Sequence, residues 1–296
     1  MTSIDLVAPP QHVLERTRCA VGTLLLAALA ELPGETREVV EFGLARQDFS
    51  TAALVLLSAE AFGDADATGA ALALEFAQLH EQLHADLMSR RGAWEVFGAD
   101  RVVSAADALL PLAVARLAKP GVMILNAALM SVVDGYVQEI AMDEETGADM
   151  ARHLGVAAAK HSSLPAAACE LGALAAGASA SQANHLRQFG DDLGLARKHV
   201  DDVLTLHDDL AHGRRTLPVV AAAIAGMTVG GGRKWCEQQA GLLLARALNH
   251  LRRSGPGARA AEELSSLARE VTTARCVPAP AVPAQPAGRS TTLPGA

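Results

Sequence analysis

Aromatic residues are scarce in this chain of 296 residues: one Tyr, two Trp and six Phe. Basic runs are missing as well, and with 25 Lys+Arg against 33 Asp+Glu the formal net charge is −8. That balance argues against nucleic acid as a partner, because a phosphate backbone needs a basic surface. Cysteines are few and dispersed, at Cys19, Cys169, Cys236 and Cys276, with no C-x-x-C pair. A disulfide framework and a structural zinc site are therefore disfavoured, and reduced thiols in a cytoplasmic protein are expected. Ala20 to Leu32 is apolar, but Pro33 and Glu35 follow it and it is too short to span a bilayer. The charged residues before it (Glu15, Arg16, Arg18) lead to no signal-peptide cleavage layout, so a core helix and no transmembrane segment are expected.

What the chain does have is alanine and leucine, half of its residues being hydrophobic and a fifth charged. Ala and Leu are strong helix formers, and no alternating stretch long enough for a sheet occurs. Apolar residues recur at three- and four-residue spacing over 13–32, 51–62, 69–88, 103–117 and 122–140. Further helices are predicted over 147–160, 165–176, 181–205, 216–225, 234–253 and 258–274. The breaks between them are short and rich in Gly and Pro: Leu32-Pro33-Gly34, Gly63-Asp64, Lys119-Pro120-Gly121, Gly226 to Gly232 and Ser254 to Gly257. The expected fold is all-α, one large helical bundle over residues 1–276, followed by a disordered Pro/Ala-rich tail over 277–296.

Chemistry concentrates in His199-Val200-Asp201-Asp202-Val203-Leu204-Thr205 and in the Asp208-Asp209-Leu210-Ala211-His212-Gly213-Arg214-Arg215-Thr216-Leu217-Pro218 run after it. Adjacent aspartates late in an apolar helix are costly to bury without a cation. A helix presenting Asp202 to a cavity would suit Mg²⁺, which takes one or two carboxylates and keeps waters and phosphate oxygens. On spacing alone a solvated acidic helix end explains the segment equally well.

The segment from Phe189 to Asp202 resembles the second aspartate-rich motif of the trans-isoprenyl diphosphate synthases, and Asp209 to Pro218 is similar to the stretch that follows it. Glu170 to Gly177, Ala159-Lys160, His84 to Gly92, Ala106 to Leu110 and Leu54 to Gly63 resemble further motifs of that family, in order, from about residue 40 to 225. The resemblance implies the isoprenoid synthase type I fold, a helical bundle around a deep central cavity. It also implies Mg²⁺ held by two facing aspartate motifs against an allylic diphosphate, with metal and side-chain cations stabilising the departing pyrophosphate. Carried onto this chain, the catalytic and metal residues are Asp86, Asp201 and Asp202, with Thr205 as a further neutral oxygen for metal. Arg90, Arg91, Lys160, Lys198 and Arg214 are the expected diphosphate contacts. The family is usually dimeric, so a homodimer, or a heterodimer with an active synthase, is expected.

This chain departs from the pattern in two places. Its first motif retains only Asp86, with Ala85 and Ser89 where a pair of ligands one turn apart would stand. The family's grip on isopentenyl diphosphate falls at Gln47 to Thr51, where Asp48 and Thr51 replace a Lys and an Arg. Lys198, in turn, stands where the family has Gln. Glu81, one turn before Ala85 and flanked by His80 and His84, is assigned to the cavity. It is read either as a displaced carboxylate facing metal or carbocation, or as an ion-paired packing residue, the second being favoured. His199 is read as a packed residue. These departures favour an enzyme that ionises geranyl, farnesyl or geranylgeranyl diphosphate without elongating it, such as a terpene cyclase or a terminal prenyltransferase. A non-catalytic subunit of a heteromeric synthase and a conventional chain-elongating synthase with a variant motif are the alternatives.

Overall fold

The structure is a computed structural model that describes residues 10–143 and 149–272. The expected tail and the start of the helix predicted over 147–160 lie outside the described residues, as does Cys276. Every element among the described residues is a helix. The first half of the chain holds α1 (Pro10–Leu29), α2 (Gly34–Leu44), α3 (Ser50–Glu60), α4 (Thr68–Ser89), α5 (Ala93–Phe97), α6 (Ala99–Val114) and α7 (Lys119–Asp143). The second half holds α8 (Met150–His161), α9 (Ser163–Ala175), α10 (Ala180–Leu204), α11 (Leu206–Ala211), α12 (Leu217–Ala225), α13 (Val229–Ser254) and α14 (Ala258–Thr272).

Burial decides the order of packing. α3 is nearly all core, with Thr51 to Val55, Leu57, Ser58 and Ala59 buried, and it lies among α1, α4, α9 and α14. Its tight seat against α9 depends on Gly172: a Cβ there would sit 2.1 Å from the Val55 carbonyl oxygen. Small residues thus let backbones approach where few aromatics are available to fill space. α10 carries the other half of the bundle, packed along α9 and α13. One continuous apolar core runs from Val13 in α1 to Ala268 in α14. The Ala20–Leu32 run belongs to it through Val21, Leu25, Ala28 and Leu29, all buried.

Three elements escape the periodicity. α2, α5 and α11 are short, and their apolar stripes are too brief to stand out from the flanking turns. The Gly226–Gly232 break is also shorter than its composition predicts. Thr228 caps α13 by accepting from the Gly231 N–H at 3.2 Å, and Gly232 lies against the Pro218 carbonyl, so these glycines belong to a helix start. Likewise Lys119, Pro120 and Gly121 form the first turn of α7, where proline is tolerated.

α7 is the one described helix long and apolar enough to cross a membrane, over Lys119–Met142. Length and composition alone do not make it a membrane span, since a long core helix meets the same measure. Met123, Met130, Val133, Val137 and Ile140 are exposed along it, while other residues of the helix pack on α8 and α9.

Candidate active site

The second aspartate motif ends α10 and turns back on itself. α10 stops at Thr205, α11 makes a short turn, and α12 begins at Leu217-Pro218. Asp202 is buried at this junction and is fully engaged: Lys198 Nζ donates to Oδ1 at 2.7 Å and the Leu217 N–H donates to Oδ2 at 3.1 Å. It thus serves the orphan N–H at the start of α12, where the positive end of that helix favours a carboxylate. Burial works against the charge on Lys198, but Asp202 beside it carries the ammonium above the usual lysine range. Thr205 Oγ donates to the buried Asp209 at 2.6 Å, and Arg214 reaches the same carboxylate at 2.7 Å. Asp201 is exposed, with Arg197 at 3.7 Å.

Facing this turn is the end of α8, brought close to α7 because Gly135 leaves room for Lys160. Lys160 donates to Glu139 at 2.6 Å and lies 4.1 Å from the Tyr136 ring centroid. A cavity of about 510 Å³ separates the two walls. Lys160, Lys198, Asp202, Thr205 and Arg214 all line it. Its charged lining is completed by Arg215, Glu139 and Asp209. His161 lines it as well, and its pKa is driven well below the usual range, first by burial and then by Lys198, Lys160 and Arg197. The electrostatics are those of an anion site.

Asp86 lies elsewhere. It is buried at the end of α4, bound by both Arg46 Nη1 (2.5 Å) and Nη2 (3.1 Å) and by the Ala93 N–H (2.9 Å). Gly92, at φ 58°, passes so close to this carboxylate that a Cβ would meet it at 2.6 Å. The surviving carboxylate of the first motif is held here in an ion pair with Arg46 and does not line the cavity. Arg90 and Arg91 also lie away from the cavity lining: Arg90 ends α4 in a left-handed conformation, and Arg91 pairs with Asp208 at 3.0 Å. Asp208 in turn reaches Arg214 at 3.4 Å, so Arg91 stands at the rim.

His80, Glu81 and His84 do not line this cavity. The helical repeat explains why. His80 and His84 share one face of α4, their rings 4.4 Å apart, and His80 Nδ1 contacts the Ala106 carbonyl oxygen on α6 at 2.9 Å. Glu81, rotated by one residue, accepts from the Tyr136 hydroxyl at 2.9 Å. Its burial raises its pKa, and its hydrogen-bond partner is a neutral phenol rather than the ion-pair partner expected of a packing residue. His199 is buried with its ring edge-on to Trp235, 5.5 Å away, and burial lowers its pKa to about 4.

The side expected to grip isopentenyl diphosphate is closed by its own pairs. Arg197 joins Asp48 at 2.9 Å and Ser50 at 2.9 Å, Thr51 faces Gln78 on α4, and Arg46 belongs to Asp86. Sequence reasoning missed Glu139, His153, His161, Asp209 and Arg215 as cavity residues. The α8 pair had a signal, since residues 153, 157, 160 and 161 fall on one helical face. Glu139 had none, because its relation to Lys160 is made only by the packing of α7 on α8.

The donor set does not fit the metal cluster that the resemblance implies. Asp86 is paired with Arg46, and each oxygen of Asp202 already accepts a hydrogen bond from the protein, one of them from an ammonium. Asp201 does not line the cavity, and no group of three His, Cys, Asp or Glu side chains able to hold a metal occurs among the described residues. What converges instead is cationic side chains around a half-open cavity.

An all-α bundle with a cationic pocket near the ends of α8 and α10 defines a helical protein built to receive an anionic ligand. The polyprenyl synthetase family model matches residues 51–225. A geranylgeranyl diphosphate synthase of Mycobacterium tuberculosis is 30% identical over 71% of this chain and 71% of its own length. The crystal structure of a polyprenyl synthetase from Streptomyces coelicolor superposes with a TM-score of 0.79 at 25% identity, covering 88% of this chain and 98% of that one. A polyprenyl synthase from Caulobacter crescentus, solved with calcium and isoprenyl diphosphate, shares the fold at a TM-score of 0.73 and 21% identity, over 90% of this chain and 98% of its own. The chain belongs to the polyprenyl synthetase family, and with it to the prenyltransferases of isoprenoid biosynthesis.

Proposed function

We propose that the protein binds an allylic prenyl diphosphate of ten to twenty carbons in this cavity and releases pyrophosphate without condensing it with isopentenyl diphosphate. It would act as a terpene cyclase or a terminal prenyltransferase. The observation that carries the reading is an asymmetry between the two sides of the site. Lys160, Lys198, Arg214 and Arg215 converge on one cavity, the first three paired yet with N–H donors left over, whereas on the other side Arg46 and Arg197 pair with Asp86 and Asp48 and line no part of it. In this reading the four cations bind the diphosphate and offset the charge that develops on it as the carbon–oxygen bond breaks. Leu217, Val156, Ala157 and Met142 supply the apolar part of the wall, which keeps water from the carbocation. The exposed stripe of α7 (Met123, Met130, Val133, Val137, Ile140) supports a homodimer, since an apolar face of that length favours a partner. A cytoplasmic location belongs to the same proposal.

Chain elongation is a second reading, supported by the names of relatives such as the geranylgeranyl diphosphate synthase. A non-catalytic subunit is a third, supported by the engagement of Asp86 and Asp202 with protein partners. One experiment separates them. Purified protein with Mg²⁺ is given geranyl, farnesyl or geranylgeranyl diphosphate, with and without isopentenyl diphosphate. Pyrophosphate release without isopentenyl diphosphate is the expected result. Lengthened products would sink the proposal in favour of elongation. Silence under all conditions, with an active synthase co-purifying, would leave the subunit.

A further inference from the structure

The expected metal ligands and the cations of the cavity stand in an unusual relation. Lys198, one helical turn before Asp202, places its ammonium 2.7 Å from Asp202 Oδ1. The second oxygen accepts from the Leu217 N–H, so each oxygen of this carboxylate already holds a protein donor and its charge is balanced by Lys198. Arg214 covers Asp209 in the same way at 2.7 Å, and Lys160 covers Glu139 at 2.6 Å. Three carboxylates on the cavity wall are thus each neutralised by a side-chain cation that also lines the cavity.

These cations keep donors in reserve. An ammonium has three N–H donors and a guanidinium five. Lys198 spends one hydrogen bond on Asp202, and Lys160 one on Glu139. Arg214 uses one nitrogen on Asp209 and another, at 3.4 Å, on Asp208. His161 has its pKa lowered first by burial and then by Lys198, Lys160 and Arg197. Such a site lowers its own repulsion by taking up an anion with several oxygens.

We propose that this protein holds a diphosphate group through Lys160, Lys198 and Arg214 without a divalent metal, the Lys198 ammonium beside Asp202 supplying the positive charge that a metal would bring. The inference rests on the proposed reading of the cavity as the diphosphate site and adds its independence of metal. Because Lys198 is covalently part of the wall, its charge stays when chelator is added. Affinity should instead fall with salt, as for any charge-assisted pairing.

Calorimetric titration of the full chain with inorganic pyrophosphate, in EDTA and again in Mg²⁺, tests this. Expected is binding in EDTA within about threefold of that in Mg²⁺. Lys198→Gln, close in length but neutral, should weaken binding in EDTA at least about tenfold, since a hydrogen bond to a charged group contributes about 1.5–3 kcal/mol. Lys198→Arg should retain it. Each variant is checked for a wild-type helical spectrum and cooperative melting. Binding in Mg²⁺ alone would overturn the inference and leave the diphosphate site standing. Binding in EDTA that Lys198→Gln does not change would overturn the role of the ammonium. No binding of pyrophosphate in either buffer would remove the diphosphate site itself, and the inference with it.

Discussion

Lys198 and Asp202, four residues apart on α10, form a hydrogen-bonded ion pair at 2.7 Å whose carboxylate also receives the first N–H of α12. The pair ties a helix end to the start of another helix and keeps a cation on the cavity wall. Removing the carboxylate leaves Lys198, itself largely buried, without its partner. Asp202→Ala is expected to lose about 3 kcal/mol of stability, the usual cost of breaking a buried pair from one side, and to lose all turnover of an allylic diphosphate. Denaturant unfolding and pyrophosphate release measure the two effects. Full activity in a folded variant would remove Asp202 from the site.

Asp86 makes the opposite prediction. Its carboxylate is held by Arg46 and the Ala93 N–H, away from the cavity. Asp86→Asn should therefore cost about 2–4 kcal/mol in stability yet change pyrophosphate affinity by less than about threefold, a difference below 1 kcal/mol. A large loss of affinity in a stable, folded Asp86→Asn protein would return this residue to the diphosphate site.

Glu75 sets a pH dependence of stability. It is buried in α4, accepts from the Ala52 N–H at 2.8 Å, and its pKa is pushed up to about 8 by burial, against an ordinary value of 4.5. The unfolded chain releases this proton near 4.5 while the folded chain keeps it to about 8. This group's contribution is therefore fully present below the lower value and declines through that window. The slope is at most about 1.4 kcal/mol per pH unit. Glu75→Gln should flatten this part of the profile, so the variant melts relatively higher than wild type at pH 8 than at pH 5. Parallel profiles for the two proteins would show that Glu75 is not the titrating group.

The exposed stripe on α7 gives the last prediction. Met130 and Val137 lie two turns apart on the same face, both more than half exposed. If that face joins two copies, Met130→Glu with Val137→Glu should convert a dimer to a monomer in light scattering, because charges in an apolar interface core are unsatisfied. The same mass for wild type and variant would exclude α7 as the contact.

The buried thiols add no chemistry. Cys169 and Cys236 have their pKa values raised to about 12 by burial, so they stay protonated in the ordinary range.

Much of the bundle was legible along the chain because helical periodicity is local. The stripes over 13–32, 69–88 and 181–205 mark α1, α4 and α10 within a few residues. Short helices such as α5 and α11 escaped because fewer than two turns cannot display a stripe. The order of motifs from Leu54 to Pro218 was enough to indicate the family, and with it an anionic substrate.

Side-chain roles were decided by packing. Sequence placed Asp86, Arg90, Arg91, Lys160, Lys198, Asp201, Asp202, Thr205 and Arg214 in one site. The structure brings Lys160, Lys198, Asp202, Thr205 and Arg214 to the cavity and leaves the other four off its wall. Spacing along a helix reports which residues share a face, but not which helix that face will meet. Whether a carboxylate meets a metal or an arginine depends on a residue dozens of positions away, as Arg46 does for Asp86. The sequence by itself determined the all-helical framework and the cationic residue types of the site, through local periodicity and residue chemistry. Only the tertiary structure decided which of those charges are spent on one another and which line the cavity, because those pairings are long-range contacts.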